Sequence, residues 1–257
     1  LDALYNEFDS QNDVSVSRDS KTLTLLFTSR REDMDEEERL HLVTPLSVLR
    51  TLQKLITSSE ESPSIFFMGV FGYELIECME SFDALPTEDN TCPDYLFYLS
   101  DITVVSDHML QQTTLYGIEH TDTPLTENIE PYLRSIKEQA EGLAFHSSAE
   151  DSLPAGSPLT VIPSMSAATY ENYVEQIKEK ITLGTVYQCV PARTFAIPCP
   201  DAFKAYENLR QTNPSPYMFF VKTNTFTIFG ASPESALKYT AQTNKVELYP
   251  IAGTRPR

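Results

Sequence analysis

Four short groups of residues in the last third of the chain carry side chains that could take part in chemistry. In the first group, Gly253 and Thr254 follow a strand-like run and lie within the segment Pro250 to Arg257. Gly253 has no side chain, so a ligand can approach the backbone closely, and the Thr254 hydroxyl with its neighbouring N–H could bind an anion. A substrate rich in carboxylates would suit such a turn.

The second and third groups each contribute one polar side chain near a strand. Glu234 follows the predicted strand Phe226 to Ala231, where its carboxylate could accept a proton, bind a cation or cap the next turn. Gln188 lies in the middle of the strand-like run Thr185 to Phe195, and its alternative interpretation is an outward polar residue on a half-buried strand. The spacing alone leaves both interpretations open.

The fourth group combines two prolines with hydrogen-bonding side chains. The prolines fix the backbone while the asparagine, serine and tyrosine offer polar groups, although an ordinary turn that begins a strand has the same composition. Its members are Asn213, Pro214, Ser215, Pro216, Tyr217 and Met218. No Ser–His–Asp or Cys–His set can be assembled from the sequence, and no carboxylate pair stands out as an acid–base couple.

The helices and strands predicted around these groups indicate an α+β fold, with antiparallel sheets and helices packed outside them. A helix capped by Ser166 or Thr169 ends at Gly184, and a second helix spans Asp201 to Thr212. Four strand candidates joined by short turns then predict an antiparallel meander. These candidates are Pro216 to Lys222, Phe226 to Ala231, Ala236 to Thr240 and Lys245 to Ile251.

The first part of the chain predicts a separate α+β region. We divide the chain into an N-terminal region at 1–145, a linker at 146–166 that is rich in Pro and Ser, and a domain that begins at 167 and runs to 257. The predicted elements of the N-terminal region are a hairpin over Val14 to Phe27, a helix from Pro45, a strand over Ile65 to Tyr73, a hairpin of Tyr95 to Val105 with Thr113 to Ile118, and a helix over Glu127 to Glu141.

Composition limits the partners that the chain could have. The formal net charge is −18 over 257 residues, which disfavours nucleic acid and anionic membrane surfaces as partners. No apolar run is long enough to span a membrane, and no secretory signal is found at the start of the sequence. The four cysteines have neither CxxC nor metal-ligand spacing, so we expect thiols in a cytoplasmic protein.

Two stretches of sequence resemble the chorismate-utilising enzymes. They are Phe229 to Tyr239, which contains Ala-Ser-Pro-Glu-Ser, and Tyr249 to Arg257, which contains Ala-Gly-Thr. The runs Asn213 to Phe220 and Gln188 to Pro200 narrow the resemblance to the component I group, the large subunits of bacterial anthranilate synthases. The resemblance is strong over 169–257 and recognisable over Ile65 to Asp94.

The resemblance implies a fold and a reaction. The fold is part of the β-sandwich of chorismate-utilising enzymes, and the reaction joins chorismate and ammonia to give anthranilate and pyruvate with the help of Mg²⁺. A glutamine amidotransferase subunit, component II, supplies the ammonia, and L-tryptophan inhibits the enzyme. The resemblance further implies that the chain is an internal, truncated fragment without the metal ligands, and we expect the fragment alone to be inactive.

The same resemblance implies roles for the four groups of residues. Glu234, Gly253 and Thr254 bind chorismate, and Thr254 and Gln188 belong to the catalytic site. The tryptophan pocket is formed by Asn213, Pro214, Ser215, Pro216, Tyr217 and Met218.

Two positions distinguish branches of the family. Relatives that make isochorismate or salicylate carry a base-forming lysine in place of Gln188, and an amide cannot act as that base. Some aminodeoxychorismate synthases carry a nucleophilic lysine in place of Ala252. Both residues favour an anthranilate synthase, while an aminodeoxychorismate synthase-like enzyme and a non-catalytic binding fragment remain the alternatives.

Overall fold

The computed structural model describes residues 1–11, 13–28, 35, 37–38, 41–56, 67–78, 80, 92–118, 128–142 and 160–251. These residues form helices and two-stranded antiparallel sheets, which confirms the predicted α+β class. The chain divides into two compact units, Leu1–Phe145 and His146–Arg257. Each unit is described by itself.

The described elements of unit 1 include three helices and three antiparallel strand pairs. Strand β1 pairs with β2, β3 with β4 and β5 with β6. The elements in chain order are α1 Asp2–Asp9, β1 Val14–Arg18, β2 Leu23–Phe27, α2 Pro45–Leu55, β3 Phe67–Phe71, a 3-10 turn Tyr73–Cys78, β4 Tyr95–Leu99, β5 Ile102–Asp107, β6 Gln112–Gly117 and α3 Glu130–Gly142. Helix α1 was not among the predicted elements.

Unit 2 contains two helices and three antiparallel pairs among its described residues. Strand β7 pairs with β8, β9 with β10 and β11 with β12. The elements are β7 Ile162–Pro163, α4 Ala167–Thr182, β8 Phe195–Ala196, α5 Ala202–Thr212, β9 Tyr217–Lys222, β10 Thr227–Ser232, β11 Lys238–Thr240, a 3-10 turn Ala241–Thr243 and β12 Lys245–Glu247. Strand β7 lies inside the segment 146–166 that the sequence predicts as a linker.

Helix boundaries follow the capping residues of the sequence. The Ser166 hydroxyl accepts a hydrogen bond from the Thr169 N–H at 3.0 Å, and the Asp201 carboxylate accepts one from the Lys204 N–H at 3.0 Å. Just after α4, Gly184 takes a φ of 74°, a left-handed conformation that glycine adopts without strain. The predicted starts and ends of α4 and α5 are therefore confirmed.

Two predicted strand arrangements are wrong. The run Tyr95 to Val105 divides at Ser100–Asp101, and its two parts pair with different strands, β3 and β6. The predicted four-stranded meander is two separate hairpins, β9–β10 and β11–β12. The local turn at Ser232 to Glu234 separates them, because Pro233 has no N–H to donate and the Ser232 hydroxyl bonds to the backbone of Glu234 instead.

Helix α5 packs against one face of the β9–β10 hairpin through four aromatic rings. Phe220 and Phe229 are paired across the hairpin and stack with ring centroids 6.1 Å apart. Phe203 and Tyr206 of α5 each lie 5.4 Å from the Phe220 ring. Contacts among these rings pack the hairpin against the helix, with Phe220 half-buried between them.

Candidate functional site

The open end of the β9–β10 hairpin brings two of the four predicted groups together. Tyr217 is paired with Ser232, and Met218 is paired with Ala231. The Asn213 to Met218 group therefore lies beside the start of the Ser232-Pro233-Glu234 turn. Tyr217 and Ser232 are 15 positions apart along the chain, and the register of the hairpin makes their two groups neighbours.

Tyr217 and Met218 lie on opposite faces of the hairpin. Side chains alternate along a strand, so Met218 shares the face of Phe220, which contacts helix α5. Tyr217 shares the other face with Phe219 and is 48% exposed. Met218 is half-buried. The predicted pocket would therefore draw its apolar walls from two faces of one hairpin.

The remaining members of the predicted tryptophan group lie at the surface. Asn213 caps the end of α5, where its N–H donates to the Leu209 carbonyl at 2.8 Å. Pro214 and Pro216 are exposed, and Ser215 is half-buried. These four residues connect α5 to β9, which is also the role of an ordinary turn.

Glu234 connects the turn after β10 to the end of the described chain. Its Oε1 accepts a hydrogen bond from the Ile251 N–H at 3.2 Å. The Ser232 hydroxyl accepts from the Glu234 N–H at 3.2 Å and donates to the Glu234 carbonyl at 2.9 Å, so the backbone that carries the carboxylate is fixed. Ala252, Gly253 and Thr254 lie outside the described residues, and Ile251 is the last residue before them.

The predicted strand Lys245 to Ile251 is wrong beyond Glu247, because only Lys245–Glu247 pairs with β11. The Glu247 carboxylate, at the end of β12, accepts hydrogen bonds from two side chains. The hydrogen bond from the Lys245 ammonium, at 2.8 Å, holds the pKa of Glu247 below its usual value, and the Tyr249 hydroxyl at 2.8 Å adds to the effect. The hydrogen bond that the Tyr249 hydroxyl donates to this negative carboxylate raises the pKa of Tyr249. Sequence reasoning missed this trio, although its alternate spacing in Lys-Val-Glu-Leu-Tyr places all three side chains on one face of a strand.

Gln188 is not brought to the hairpin by any contact of the described residues. Its side chain is exposed, and its amide forms no hydrogen bond with another residue in the described part of the chain. The predicted strand Thr185 to Phe195 is wrong over 186–194, where regular strand structure is absent, and only Phe195–Ala196 pairs, with β7. A strand requires a paired neighbour, which this stretch lacks within the described chain.

The described residues do not form a metal site. No cluster of three or more His, Cys, Asp or Glu side chains that could hold an ion occurs among them. None of the described residues is therefore assigned to the Mg²⁺ that the resemblance implies, and the Glu234 carboxylate accepts a hydrogen bond from the Ile251 N–H. All four cysteines lie in the described part of the chain, and none forms a disulfide.

None of the helices in the described ranges is both long and apolar enough to cross a membrane.

The profile of the chorismate binding enzyme family matches residues 3–257, which is nearly the whole chain. The chain belongs to this family.

Two similar proteins within this family carry the same name. The chain is 37% identical to anthranilate synthase component 1 of Vibrio parahaemolyticus over 252 residues, which is 96% of this chain and 45% of that protein. It is 36% identical to the Escherichia coli protein of the same name, over 87% of this chain and 42% of that protein. The chain thus spans less than half the length of these relatives.

A solved structure shows the same likeness. The crystal structure of anthranilate synthase component I from Streptococcus pneumoniae TIGR4 aligns with a TM-score of 0.60 at 25% sequence identity. The alignment covers 89% of this chain and 50% of that protein.

Proposed function

We propose that the chain forms part of an anthranilate synthase component I, which converts chorismate and ammonia to anthranilate and pyruvate in tryptophan biosynthesis. The observation that carries the proposal is the similarity of nearly the whole chain to relatives with that name. A glutamine amidotransferase subunit, component II, would release the ammonia from glutamine. Because the reaction breaks a carbon–oxygen bond of chorismate, the enzyme would be a lyase. We further propose that it acts in the cytoplasm.

The proposed substrate site lies beyond the open end of the β9–β10 hairpin. Chorismate is an anion, and the Gly253–Thr254 turn offers a hydroxyl and unhindered backbone N–H groups for its oxygens. The bond from the Ile251 N–H to Glu234 supports this placement, because it fixes the backbone that leads into the turn. An anion must be captured by such local donors, since the net charge of −18 repels it.

The residue at position 188 decides which nucleophile attacks chorismate. An amide has no proton-accepting group at neutral pH, so Gln188 cannot activate water as a lysine would. Ala252 offers no nucleophile of its own. Ammonia therefore remains the nucleophile: it forms the new carbon–nitrogen bond as the ring loses its hydroxyl, and the enolpyruvyl group then leaves as pyruvate.

We further propose that the residues from Asn213 to Met218 bind L-tryptophan as a feedback inhibitor. A thioether and a phenol ring are suitable apolar neighbours for an indole, and both lie at the end of β9. Tyr217 and Met218 are paired with Ser232 and Ala231, next to the turn that holds Glu234, so we expect inhibitor binding there to displace that turn.

Anthranilate fluorescence tests the proposed function. The natural polypeptide that carries this sequence is mixed with chorismate, an ammonium salt and Mg²⁺, and we expect a continuous rise in fluorescence that L-tryptophan suppresses. We expect no turnover from the 257-residue chain alone, because it spans less than half the length of its relatives. Consumption of chorismate without anthranilate would instead favour an aminodeoxychorismate synthase-like enzyme, and no consumption would favour a binding protein.

A further inference from the structure

Tyr217 and Ser232 lie opposite each other at the open end of the β9–β10 hairpin. They are paired in the antiparallel register, so their side chains share one face of the hairpin, with Cβ atoms about 5 Å apart. Tyr217 belongs to the group 213–218 that we propose binds L-tryptophan, and Ser232 begins the turn that carries Glu234. A ligand that packs against the Tyr217 ring on this face also contacts the Ser232 side chain.

The Ser232 hydroxyl holds the backbone of Glu234 at two points. It accepts a hydrogen bond from the Glu234 N–H at 3.2 Å and donates one to the Glu234 carbonyl at 2.9 Å. Because both bonds end on one residue, they restrain the direction in which the Glu234 side chain leaves the backbone. The Glu234 carboxylate in turn accepts a hydrogen bond from the Ile251 N–H at 3.2 Å. One hydroxyl therefore lies between Tyr217 and the backbone that leads into the proposed chorismate site.

The opposite face of the hairpin packs against α5. Met218 and its partner Ala231 lie on this face, together with the Phe220 ring that contacts the helix. The Ala231 methyl group cannot form a hydrogen bond to the turn that follows it. A ligand at Met218 therefore acts on the aromatic contacts with α5, whereas a ligand at Tyr217 acts on the hydroxyl that holds the turn.

We propose that Ser232 is a positioning residue that couples the group 213–218 to Glu234. Without an inhibitor, its hydroxyl keeps the Glu234 carboxylate on the Ile251 N–H, which is the arrangement that binds chorismate. When an indole packs against Tyr217, the hydroxyl leaves the Glu234 backbone and the carboxylate releases Ile251. Each ligand then lowers the affinity for the other by the same factor. The inference rests on the proposed function, because it requires that chorismate and L-tryptophan bind at these two groups.

Calorimetric titrations of the natural polypeptide that carries this sequence test the coupling. L-Tryptophan is titrated with and without saturating chorismate, in a buffer without ammonium, and the ratio of the two dissociation constants is the coupling factor. We expect a factor of at least about 5 in the wild type and less than about 2 in Ser232→Ala. Without chorismate, the dissociation constant for tryptophan should change by less than about threefold in Ser232→Ala, because the group 213–218 is intact.

Two further variants separate coupling from a loss of stability. Ser232→Thr keeps the hydroxyl and should restore the coupling factor. Thr223 provides a matched control at the closed end of the same hairpin, because its hydroxyl accepts from the Phe226 N–H and donates to the Phe226 carbonyl, both at 2.9 Å. Thr223→Val removes these bonds, so it should lower the melting temperature as Ser232→Ala does but keep the wild-type coupling factor.

Hydrogen exchange in the wild type tests the same mechanism without any variant. Saturating L-tryptophan should speed exchange of the Glu234 and Ile251 amides by at least about tenfold, because both amides lose their acceptors. The Phe226 amide, which the Thr223 hydroxyl holds, should exchange at an unchanged rate. This measurement decides the proposal even if Ser232→Ala fails to fold.

Four outcomes would overturn the proposal. An unchanged coupling factor in Ser232→Ala would mean that the two sites communicate through another part of the hairpin. Loss of the factor in Thr223→Val as well would make it a general effect of stability. Loss of tryptophan binding in Ser232→Ala without chorismate would place Ser232 in the inhibitor site itself. Unchanged exchange at Ile251 in the tryptophan-bound wild type would show that the turn stays closed.

The wild type also separates failure of this inference from failure of the proposed function. A natural polypeptide that makes anthranilate but has a coupling factor of one would reject the coupling and leave the proposed function standing. A natural polypeptide that makes no anthranilate would reject the proposed function, and the coupling with it.

Discussion

Glu234 joins the turn after β10 to the residue that leads into the proposed chorismate site. Its carboxylate holds the Ile251 N–H at 3.2 Å, just before the turn that we propose as the anion site. Glu234→Gln replaces a charged acceptor with a neutral one that can still accept the hydrogen bond, so the bond weakens by about 1 kcal/mol. We expect kcat/KM for chorismate to fall by about fivefold in the natural polypeptide, measured by anthranilate fluorescence.

The control for this variant is Glu175→Gln. Glu175 is exposed on α4 and pairs with Lys178 at 2.8 Å, so its neutralisation should leave turnover unchanged. Hydrogen exchange supplies a second readout, because the Ile251 amide should exchange faster only in Glu234→Gln. Unchanged turnover together with faster exchange would assign Glu234 a purely structural role.

Met218 tests the proposed tryptophan pocket. Met218→Thr shortens an apolar side chain and introduces a hydroxyl, so binding of an indole should weaken and the inhibition constant for L-tryptophan should rise by about tenfold. Met218 also shares the face that contacts α5, so the same change lowers stability. Inhibition curves and thermal melts on Met218→Thr and on the volume-conserving Met218→Leu separate these effects. Lower stability with an unchanged inhibition constant would reject the pocket.

The hydrogen bond between Tyr249 and Glu247 should make the stability of this segment depend on pH. Glu247 has a lowered pKa and Tyr249 a raised one, so their hydrogen bond stabilises the segment at the end of β12 between the ordinary glutamate pKa of about 4.3 and the ordinary tyrosine pKa of about 10. The stabilisation is lost as the pH falls through the pKa of Glu247 or rises through that of Tyr249.

The measurement is an NMR titration of ring-labelled tyrosine in the chain. Tyr249 should lose its proton above pH 10, and Glu247→Gln should lower its pKa because the neighbouring negative charge is removed. Glu175→Gln on α4 is the matched control and should leave the titration unchanged. If Glu247→Gln also had no effect, the hydrogen bond would not exist in solution.

At the scale of elements, aromatic contacts pack α5 against the β9–β10 hairpin of unit 2. Phe220 touches Phe203, Tyr206 and Phe229. Phe220→Ala should lower the free energy of unfolding by about 2–3 kcal/mol in urea titrations, because a half-buried ring and its contacts are lost. Tyr187→Ala removes a fully exposed ring and should change the stability of the chain by less than about 0.5 kcal/mol.

Strand β3 depends on the absence of a side chain at Gly69. A Cβ there would collide with the Leu96 carbonyl oxygen of β4 and would lie 2.6 Å from the Phe97 ring. Gly69→Ala should therefore destabilise unit 1 by about 1–3 kcal/mol, measured by urea unfolding. Gly142→Ala has nothing within 4 Å and should be neutral within about 0.5 kcal/mol. Equal stability of the two variants would contradict the close approach of β3 and β4.

The sequence predicted elements wherever the signal was local. Ser166, Asp201 and Gly184 mark helix ends through hydrogen bonds and backbone conformations that involve only neighbouring residues. Strand pairing was predicted less well, because it depends on which distant segment supplies the partner. The alternating run Thr185 to Phe195 has the composition of a strand, yet only its last residue pairs.

At the scale of the whole molecule, the motif at 232–234 and the run Lys245 to Ile251 were identified from the sequence as candidates, and their roles stay predictions. The hydrogen bond that joins them spans 17 positions along the chain, so no local pattern could indicate it. Gly253 and Thr254 lie outside the described residues, so their roles stay predictions. Gln188 is exposed and forms no hydrogen bond within the described residues, so its role also stays a prediction.

Product analysis with isotopically heavy ammonium tests the central proposal most directly. The natural polypeptide that carries this sequence is incubated with chorismate, Mg²⁺ and the labelled salt, and the products are identified by mass spectrometry. We predict anthranilate that carries the heavy nitrogen, together with an equal amount of pyruvate. Isochorismate, salicylate or aminodeoxychorismate as the final product would contradict the assignment of ammonia as nucleophile and of anthranilate as product.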